Sequence, residues 1–353
     1  MRRWTTSFLV SIGFAAAALT AAAPADANKL DLSLARFVNC ADPAHCTPDI
    51  SSYERFLAEY AFGLAPRTMG PAGTLGYSGF YLGLEGTLTP VPGQGNTNDQ
   101  RWHLGTKPVD QAPGAMFLPA VRVRKGLPWS FELGSSVSYL AQSELVALGG
   151  EIKWSLFEGY RHGFRGALPD VAARGSVVRV LGEADIDMTI IGVDGAISYP
   201  FGLGGMISLT PFAGFQYIWT IVRVEPLVYR DREGHDDCGP GSDPSECWAT
   251  PVDPDGSQPG EMHTNEGGFY DINKLSGPNL ERMRLFLGFQ LKYEMLSIML
   301  EGAWGLASDW DTAVYPPNEA GATYYPDGDQ DPDQAKAKVG HQFQISGGVG
   351  IDF

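Results

Sequence analysis

Apolar and polar residues alternate along most of the chain after residue 77, and the chain ends on a segment of this kind, 339–353. Alternate positions in this segment carry large apolar side chains: Phe343, Ile345, Val349, Ile351 and Phe353. The positions between them are polar or small. Because successive side chains of a β-strand point to opposite faces, the pattern predicts a strand with one apolar and one polar face. Its length is sufficient for a tilted strand that crosses a bilayer.

Similar segments occur between turn residues throughout this part of the chain. We predict ten strands, at 78–90, 116–124, 129–141, 144–157, 170–182, 185–199, 204–224, 281–293, 297–308 and 339–353. The fifth and sixth contain breaks in the alternation, which we interpret as β-bulges. The pattern therefore predicts an all-β fold, an antiparallel up-and-down transmembrane barrel of about ten strands, with eight or twelve as alternatives.

A membrane barrel explains the two strand faces better than a soluble β-sandwich does. The apolar faces carry Trp, Tyr and Phe near strand ends, as interface girdles do. The opposite faces carry charges that a sandwich core could not hold unpaired. In lipid the sheet must close, since an open edge would leave backbone groups without partners. The predicted lumen charges are Glu85, Arg122, Arg124, Glu132, Glu151, Lys153, Arg282, Arg284, Lys292 and Glu301.

These charges have two interpretations. A barrel of about ten strands has a narrow lumen that is mostly filled by side chains, so neighbouring charges could satisfy one another as ion pairs. Alternatively they could line a narrow polar pore with local selectivity, which rings of like charge would favour.

The lengths of the connections predict an orientation. If Phe353 lies at the periplasmic end, the long connections 91–115, 225–280 and 309–338 all fall outside the cell. The short turns then fall in the periplasm, and only 158–169 is long there. Long outer loops and short periplasmic turns are typical of such barrels, and an even strand count keeps the N-terminus periplasmic.

The first 76 residues do not alternate. Residues 1–27 have the charged start, apolar run and A-x-A site (Ala25-Asp26-Ala27) of a signal peptide, so we expect a mature start at Asn28. In the segment 28–76, a capping box of Ser51 and Glu54 precedes apolar residues at helical spacing. We interpret this segment as periplasmic, with a short amphipathic helix at the barrel's rim or on the membrane surface. The alternative is a plug or partner-binding helix.

With its signal peptide, alternating strands and terminal aromatic residue, the chain resembles the outer-membrane β-barrel (porin-like) proteins of diderm bacteria. The resemblance implies that Phe353 is an assembly signal read by the barrel-assembly machinery. It also implies an outer-membrane location among lipid and lipopolysaccharide, with the barrel covering 77–353 and a monomer as the expected state. The chain matches no characterised subfamily, so no site residues are carried over.

The charge of the chain bears on two questions, whether it binds nucleic acid and whether it binds a metal ion. The net charge of −16 argues against a nucleic-acid partner. Most of it lies in the connections 225–280 and 309–338. In the latter, carboxylates at alternate positions are weak candidates for Ca²⁺ ligands, with a solvated acidic loop as the alternative. These candidates are Asp327, Asp329, Asp331 and Asp333.

The 4 Cys form two local pairs, Cys40 with Cys46 and Cys238 with Cys247. Short Cys-bounded loops in an exported protein indicate disulfides, and neither pair has the spacing of a metal site.

Catalysis has little support in the sequence. Asp309, Asp311 and His341 could approach one another at the outer rim, where omptin-type barrel proteases use Asp and His, but no matching motif surrounds them. We expect no enzyme activity, no catalytic residue and no cofactor. The leading hypothesis is a narrow channel or a structural barrel. The alternatives are an outer-surface binding or adhesion protein that uses the acidic loops and, with less support, an omptin-like rim hydrolase.

Overall fold

The computed structural model describes residues 30, 32, 37–42, 45–48, 50–91, 102, 105–106, 114–159, 168–182, 186–204, 206–224, 227–230, 248–251, 269–270, 280–311 and 336–353. Ten long strands form a closed antiparallel barrel, which confirms the predicted fold. They are β1 (Phe80–Pro90), β2 (Ala115–Leu127), β3 (Phe131–Tyr139), β4 (Val146–Phe157), β5 (Asp170–Leu181), β6 (Ile186–Ser198), β7 (Ile207–Val224), β8 (Leu280–Tyr293), β9 (Leu296–Gly305) and β10 (Gln342–Asp352). Each strand pairs with its neighbours in the sequence, and β10 pairs with β1.

The last residue closes the seam between β10 and β1. The Phe353 N–H donates to the carbonyl of Phe80 at 2.9 Å, and the Phe80 N–H donates back at 2.6 Å. Their ring centroids lie 5.1 Å apart. The aromatic terminus is therefore part of the closure itself, and its role as an assembly signal stays a prediction.

The barrel is apolar outside and polar inside. Leu84, Leu133 and Leu285 are exposed on the outer surface, whereas Glu85 and Arg284 beside them in sequence are buried in the lumen. Such a surface suits lipid, and the closed sheet leaves no unpaired edge, so this is the arrangement of a membrane-spanning barrel. In the described part of the chain, no helix has both the length and the apolar character needed to cross a bilayer.

The two ends of the barrel differ. The connections after β1, β7 and β9, which are the three longest, leave from one end, called here the loop end. The other end, the terminal end, carries Phe353. Its turns include a short 3-10 helix at Pro128–Ser130, the two-residue strand Phe201–Gly202 and the tight turn at Glu294. The predicted grouping of long and short connections is confirmed.

Several short strands form small sheets that are separate from the barrel sheet. They are Val38–Asp42 with His45–Pro48, Leu227–Arg230 with Trp248–Pro251 and Phe269–Tyr270, and Ser308–Asp311 with Lys336–Val339. Val339 belongs to this last pair, so the terminal barrel strand is shorter than predicted. Cys40 and Cys46 are directly opposite partners in the first pair, and their disulfide remains a prediction. The signal peptide, Cys238, Cys247 and the Ca²⁺ candidates Asp327, Asp329, Asp331 and Asp333 lie outside the described residues.

The predicted bulges in the fifth and sixth strands are wrong. β5 and β6 pair in continuous register, and buried positions alternate regularly along both. Their sequence pattern looked irregular because β5 points Val178 and Val180 into the lumen. The register shift lies instead in β4, between Ser155 and Phe157.

One helix of 15 residues, α1 (Ile50–Leu64), precedes the barrel. It does not cover a rim of the barrel from outside. It lies inside the barrel toward the loop end, where it packs against β8 and the short strand Lys336–Val339. Lumen side chains of β10 reach its backbone: the Gln342 side-chain amide donates to the carbonyl of Glu59 at 3.3 Å, and that of Gln344 to Gly63 at 3.4 Å. The plug alternative is therefore the one that the structure supports.

Candidate functional site: the plugged lumen

An aromatic cluster holds α1 at the loop end. Phe56 is fully buried and its ring lies 5.1 Å from Trp102, 5.5 Å from Phe37 and 5.6 Å from Tyr60. A side chain at position 105 would lie 2.4 Å from the Phe56 ring, so Gly105 makes room for it. The barrel wall here points apolar side chains inward, and they join the same core: Met116, Leu118, Val178, Val180, Met188, Ile190 and Ile218.

Polar contacts fix the direction of the N-terminal segment. The Trp102 indole N–H donates to the Glu59 carboxylate at 2.8 Å, and the Tyr60 hydroxyl donates to the carbonyl of Leu30 at 3.0 Å. The Leu30 N–H donates to the carbonyl of Gln142, in the turn between β3 and β4 at the loop end. Residue 30 therefore lies at the end of the barrel opposite Phe353.

Residues 65–76, called here the throat segment, continue from α1 down the lumen to the terminal end. Near that end the Thr74 hydroxyl donates to the Glu158 carboxylate at 2.8 Å, and the Leu75 N–H donates to Glu132 at 3.1 Å. The fit is tight where the segment leaves the barrel, since a Cβ at Gly126 would lie 1.8 Å from the Gly76 carbonyl oxygen. Together α1 and the throat segment form a plug that runs the length of the lumen.

Three wall arginines, called here the arginine collar, donate hydrogen bonds to the middle of the plug. Arg174 donates to the carbonyl of Thr68 at 2.7 Å and Arg122 to that of Arg67 at 3.4 Å. Arg284 donates to the carbonyl of Pro66. Arg122 stands on β2, Arg174 on β5 and Arg284 on β8. Because these strands are spread around the wall, the three arginines approach consecutive carbonyls from different directions.

Carboxylates on intervening strands hold two collar arginines in place. Arg122 pairs with Glu85 at 3.0 Å and with Glu151 at 2.8 Å. Arg174 pairs with Asp194 at 2.9 Å and, more distantly, with Glu151 at 3.7 Å. These groups form an alternating belt of charge across β1, β2, β4, β5 and β6, with charges of opposite sign next to one another.

A second group of charges lies closer to the terminal end. The Glu132 carboxylate lies 3.1 Å from the Lys153 ammonium and 3.5 Å from the Arg124 guanidinium. Lys153 also donates to the throat carbonyls of Pro71 and Gly73, at 3.3 and 2.9 Å. The Arg124 guanidinium stacks over the ring of Tyr81, 4.2 Å from its centroid. This group ties the lower throat segment to the wall.

The remaining predicted lumen charges contact side-chain amides, a hydroxyl or, for Lys292, a carboxylate. Glu301 accepts from the Thr68 hydroxyl at 2.7 Å, and Arg284 donates to the Gln344 side chain at 3.0 Å. Arg282 donates to the Gln342 side chain at 2.6 Å. Lys292 pairs with Asp352 at 3.0 Å and is half-exposed near the terminal end.

Sequence reasoning missed Arg67, Arg174 and Asp194. The last two lie on the strands with an irregular sequence pattern, and Arg67 lies on the segment that the sequence predicts to be outside the barrel. The available signal was the presence of apolar residues on both faces of the same strand, as at Val177 and Val178. In a barrel, an apolar inner face requires something apolar inside it.

A cavity of about 20 Å³ lies next to Pro66, Arg67, Arg122 and Glu151. That is room for about one water molecule.

The rim residues suggested for hydrolysis form no catalytic arrangement in the described structure. His341 accepts the Ala307 N–H at its Nδ1 at 3.2 Å and lies edge-on to Trp304. Asp309 is opposite Lys338 in the short strand pair. The side chain of Asp311 lies outside the described residues. Among the residues that the structure describes, no three His, Cys, Asp or Glu side chains are grouped as a metal site would require.

Comparisons with known proteins give fold-level similarities alone. No protein-family model and no curated protein matches the sequence. Among solved structures, the chain is similar to the transport unit of the autotransporter AIDA-I from Escherichia coli, with 9% identity, 87% of this chain and 98% of that chain covered, and a TM-score of 0.29. It is also similar to the hemophore receptor HasR of Serratia marcescens (8%, 76% and 41% covered, TM-score 0.20) and to CdiB from Acinetobacter baumannii (8%, 78% and 60% covered, TM-score 0.17). Values this low do not inform the function of this chain.

Proposed function

We propose that this protein is an outer-membrane β-barrel that its own N-terminal segment keeps closed. Of the two forms of the leading hypothesis, a structural barrel with a filled lumen then describes the resting state, and an open channel does not. The observation that carries the proposal is the arginine collar, which holds three consecutive plug carbonyls from three sides. Charge-assisted hydrogen bonds of this kind are about twice as strong as neutral ones.

The proposed orientation places the terminal end in the periplasm and the loop end outside. The apolar outer surface and closed sheet support a membrane location, and the signal peptide and the long connections at one end support the outer membrane. A closed sheet also has no edge strand to pair with a second copy, which supports a monomer.

Ion conductance of the purified full-length protein in planar bilayers tests closure. We expect no steady conductance from the wild type. Phe56→Ala, which removes a buried ring that seats α1, should produce frequent openings. Phe215→Ala is the matched control, because it removes the same ring from the lipid-facing surface of β7. A wild type that conducts steadily would contradict the proposal, and so would openings of equal frequency in the two variants.

A further inference from the structure

We infer that the barrel carries its own N-terminal end to the outer surface and presents it there. The inference rests on the proposed orientation and goes beyond closure. Its first basis is the number of crossings. Ten strands alone would leave the start of β1 and the end of β10 at the same end of the barrel. The plug adds an eleventh passage, from Leu30 beside the Gln142 turn to Phe80 beside Phe353.

The second basis is the way the wall holds the plug. Among the described residues, eight hydrogen bonds from the wall end on main-chain carbonyls of the plug, from Arg122, Lys153, Arg174, Gln216, Arg284, Gln342 and Gln344 to residues between Glu59 and Gly73. Every polypeptide offers these acceptors whatever its side chains. The chemical class that this lumen accommodates is therefore a polypeptide, in the extended form of the throat segment.

The third basis is the position of the aromatic cluster. Phe37, Phe56 and Trp102 pack together at the loop end, beyond the collar. The apolar part of the plug is thus at the outer mouth, and the part that lies within the narrow lumen is rich in small residues and Pro. A helix seated at the mouth would hold the N-terminal end outside once the throat segment occupies the lumen.

Surface labelling of the full-length protein on intact cells tests this inference. One variant carries an epitope tag and a flexible linker after Asn28, directly after the predicted cleavage site. The control variant carries the same tag after Gly202, in a turn at the terminal end. We expect the first tag to be labelled on intact cells as strongly as after permeabilisation of the outer membrane. The second should be labelled only after permeabilisation.

The outcomes separate this inference from the proposed function. If the Gly202 tag behaves as expected but the N-terminal tag needs permeabilisation, the inference is overturned and the closed barrel stands. If the Gly202 tag is labelled on intact cells, the proposed orientation fails and the inference fails with it. If an insertion prevents assembly, Asn28→Cys and Gly202→Cys labelled with a membrane-impermeant maleimide give the same comparison without added residues.

Discussion

The two halves of the plug are held in different ways. α1 is held mainly by its side chains, since the Phe56 ring fills a space bounded by Phe37, Tyr60 and Trp102. The throat segment is held mainly through its backbone, whose carbonyls accept from the arginine collar and Lys153. Met69 is its main apolar anchor, packed with Tyr81 and Met299.

This difference separates two tasks within one lumen. Shape complementarity at the loop end specifies which segment seats there, because a cavity or a clash is costly in a packed core. The collar, in contrast, recognises groups that every residue carries. Substitutions in α1 should therefore weaken the packing of the plug's own side chains. Substitutions at the collar should instead remove hydrogen bonds that the wall donates to the plug backbone.

The largest effect is expected for Phe56→Ala. Removing a fully buried ring should reduce the free energy of unfolding by about 3–5 kcal/mol, measured by denaturant unfolding in detergent micelles. Phe215→Ala should cost much less in micelles, because that ring faces the apolar surroundings. Equal losses in the two variants would mean that the aromatic cluster does not secure the plug.

The next effect is expected for Arg174→Ala, which acts through the wall. The change removes the hydrogen bond to Thr68 and leaves the buried carboxylate of Asp194 without its ion-pair partner. Breaking a buried pair in this way costs about 3 kcal/mol. The double variant Arg174→Met with Asp194→Leu should recover most of that loss in the same unfolding experiment. If the double variant is no more stable than the single one, the loss comes from the contact to the plug and not from the unpaired carboxylate.

A comparison of strands β8 and β5 shows how far the sequence could predict the site. Along β8, Met283 and Leu285 face outward and Arg282 and Arg284 face inward, as the alternation predicts, because lipid on one side and water or polar groups on the other impose a period of two. Along β5 the inner face is mixed, because Val178 and Val180 meet α1 while Arg174 meets the throat segment. Buried and exposed positions still alternate along β5. The inner positions carry apolar as well as charged residues because they face different parts of the plug.

The position of α1 could not be derived from its own pattern. Its residues at helical spacing predict a helix with an apolar face, and such a face packs equally well on a membrane surface or inside a barrel. The strand-parity argument also could not detect it, because a passage through the lumen has no alternating pattern. Only the apolar inner faces of the wall strands carried the signal, and these depend on the three-dimensional register.

A smaller effect is expected where the throat segment leaves the lumen. In Gly126→Ala the new methyl group would meet the Gly76 carbonyl, so the backbone must shift, at a cost of about 2 kcal/mol. Gly202→Ala is the matched control at the same end of the barrel, since nothing lies within 4 Å of its Cβ position. Heating samples to increasing temperatures before gel electrophoresis gives the temperature at which the folded band is lost. This temperature should fall for Gly126→Ala only. An unchanged Gly126→Ala variant would show that the throat segment is not seated against β2.

The smallest effect is expected for Thr68→Val, which separates side-chain from main-chain contacts within the throat segment itself. The change keeps the size of the residue and its carbonyl bond to Arg174, and it removes the hydroxyl that donates to Glu301 at 2.7 Å. Because Glu301 keeps its electrostatic interaction with Arg284, we expect a cost of about 1 kcal/mol, at the low end for a buried acceptor that loses its donor. Thr68→Ser keeps the hydroxyl and should be close to wild type in denaturant unfolding. A loss from Thr68→Val as large as that from Arg174→Ala would mean that the throat is held by its side chains, and the contrast between the two halves of the plug would no longer hold.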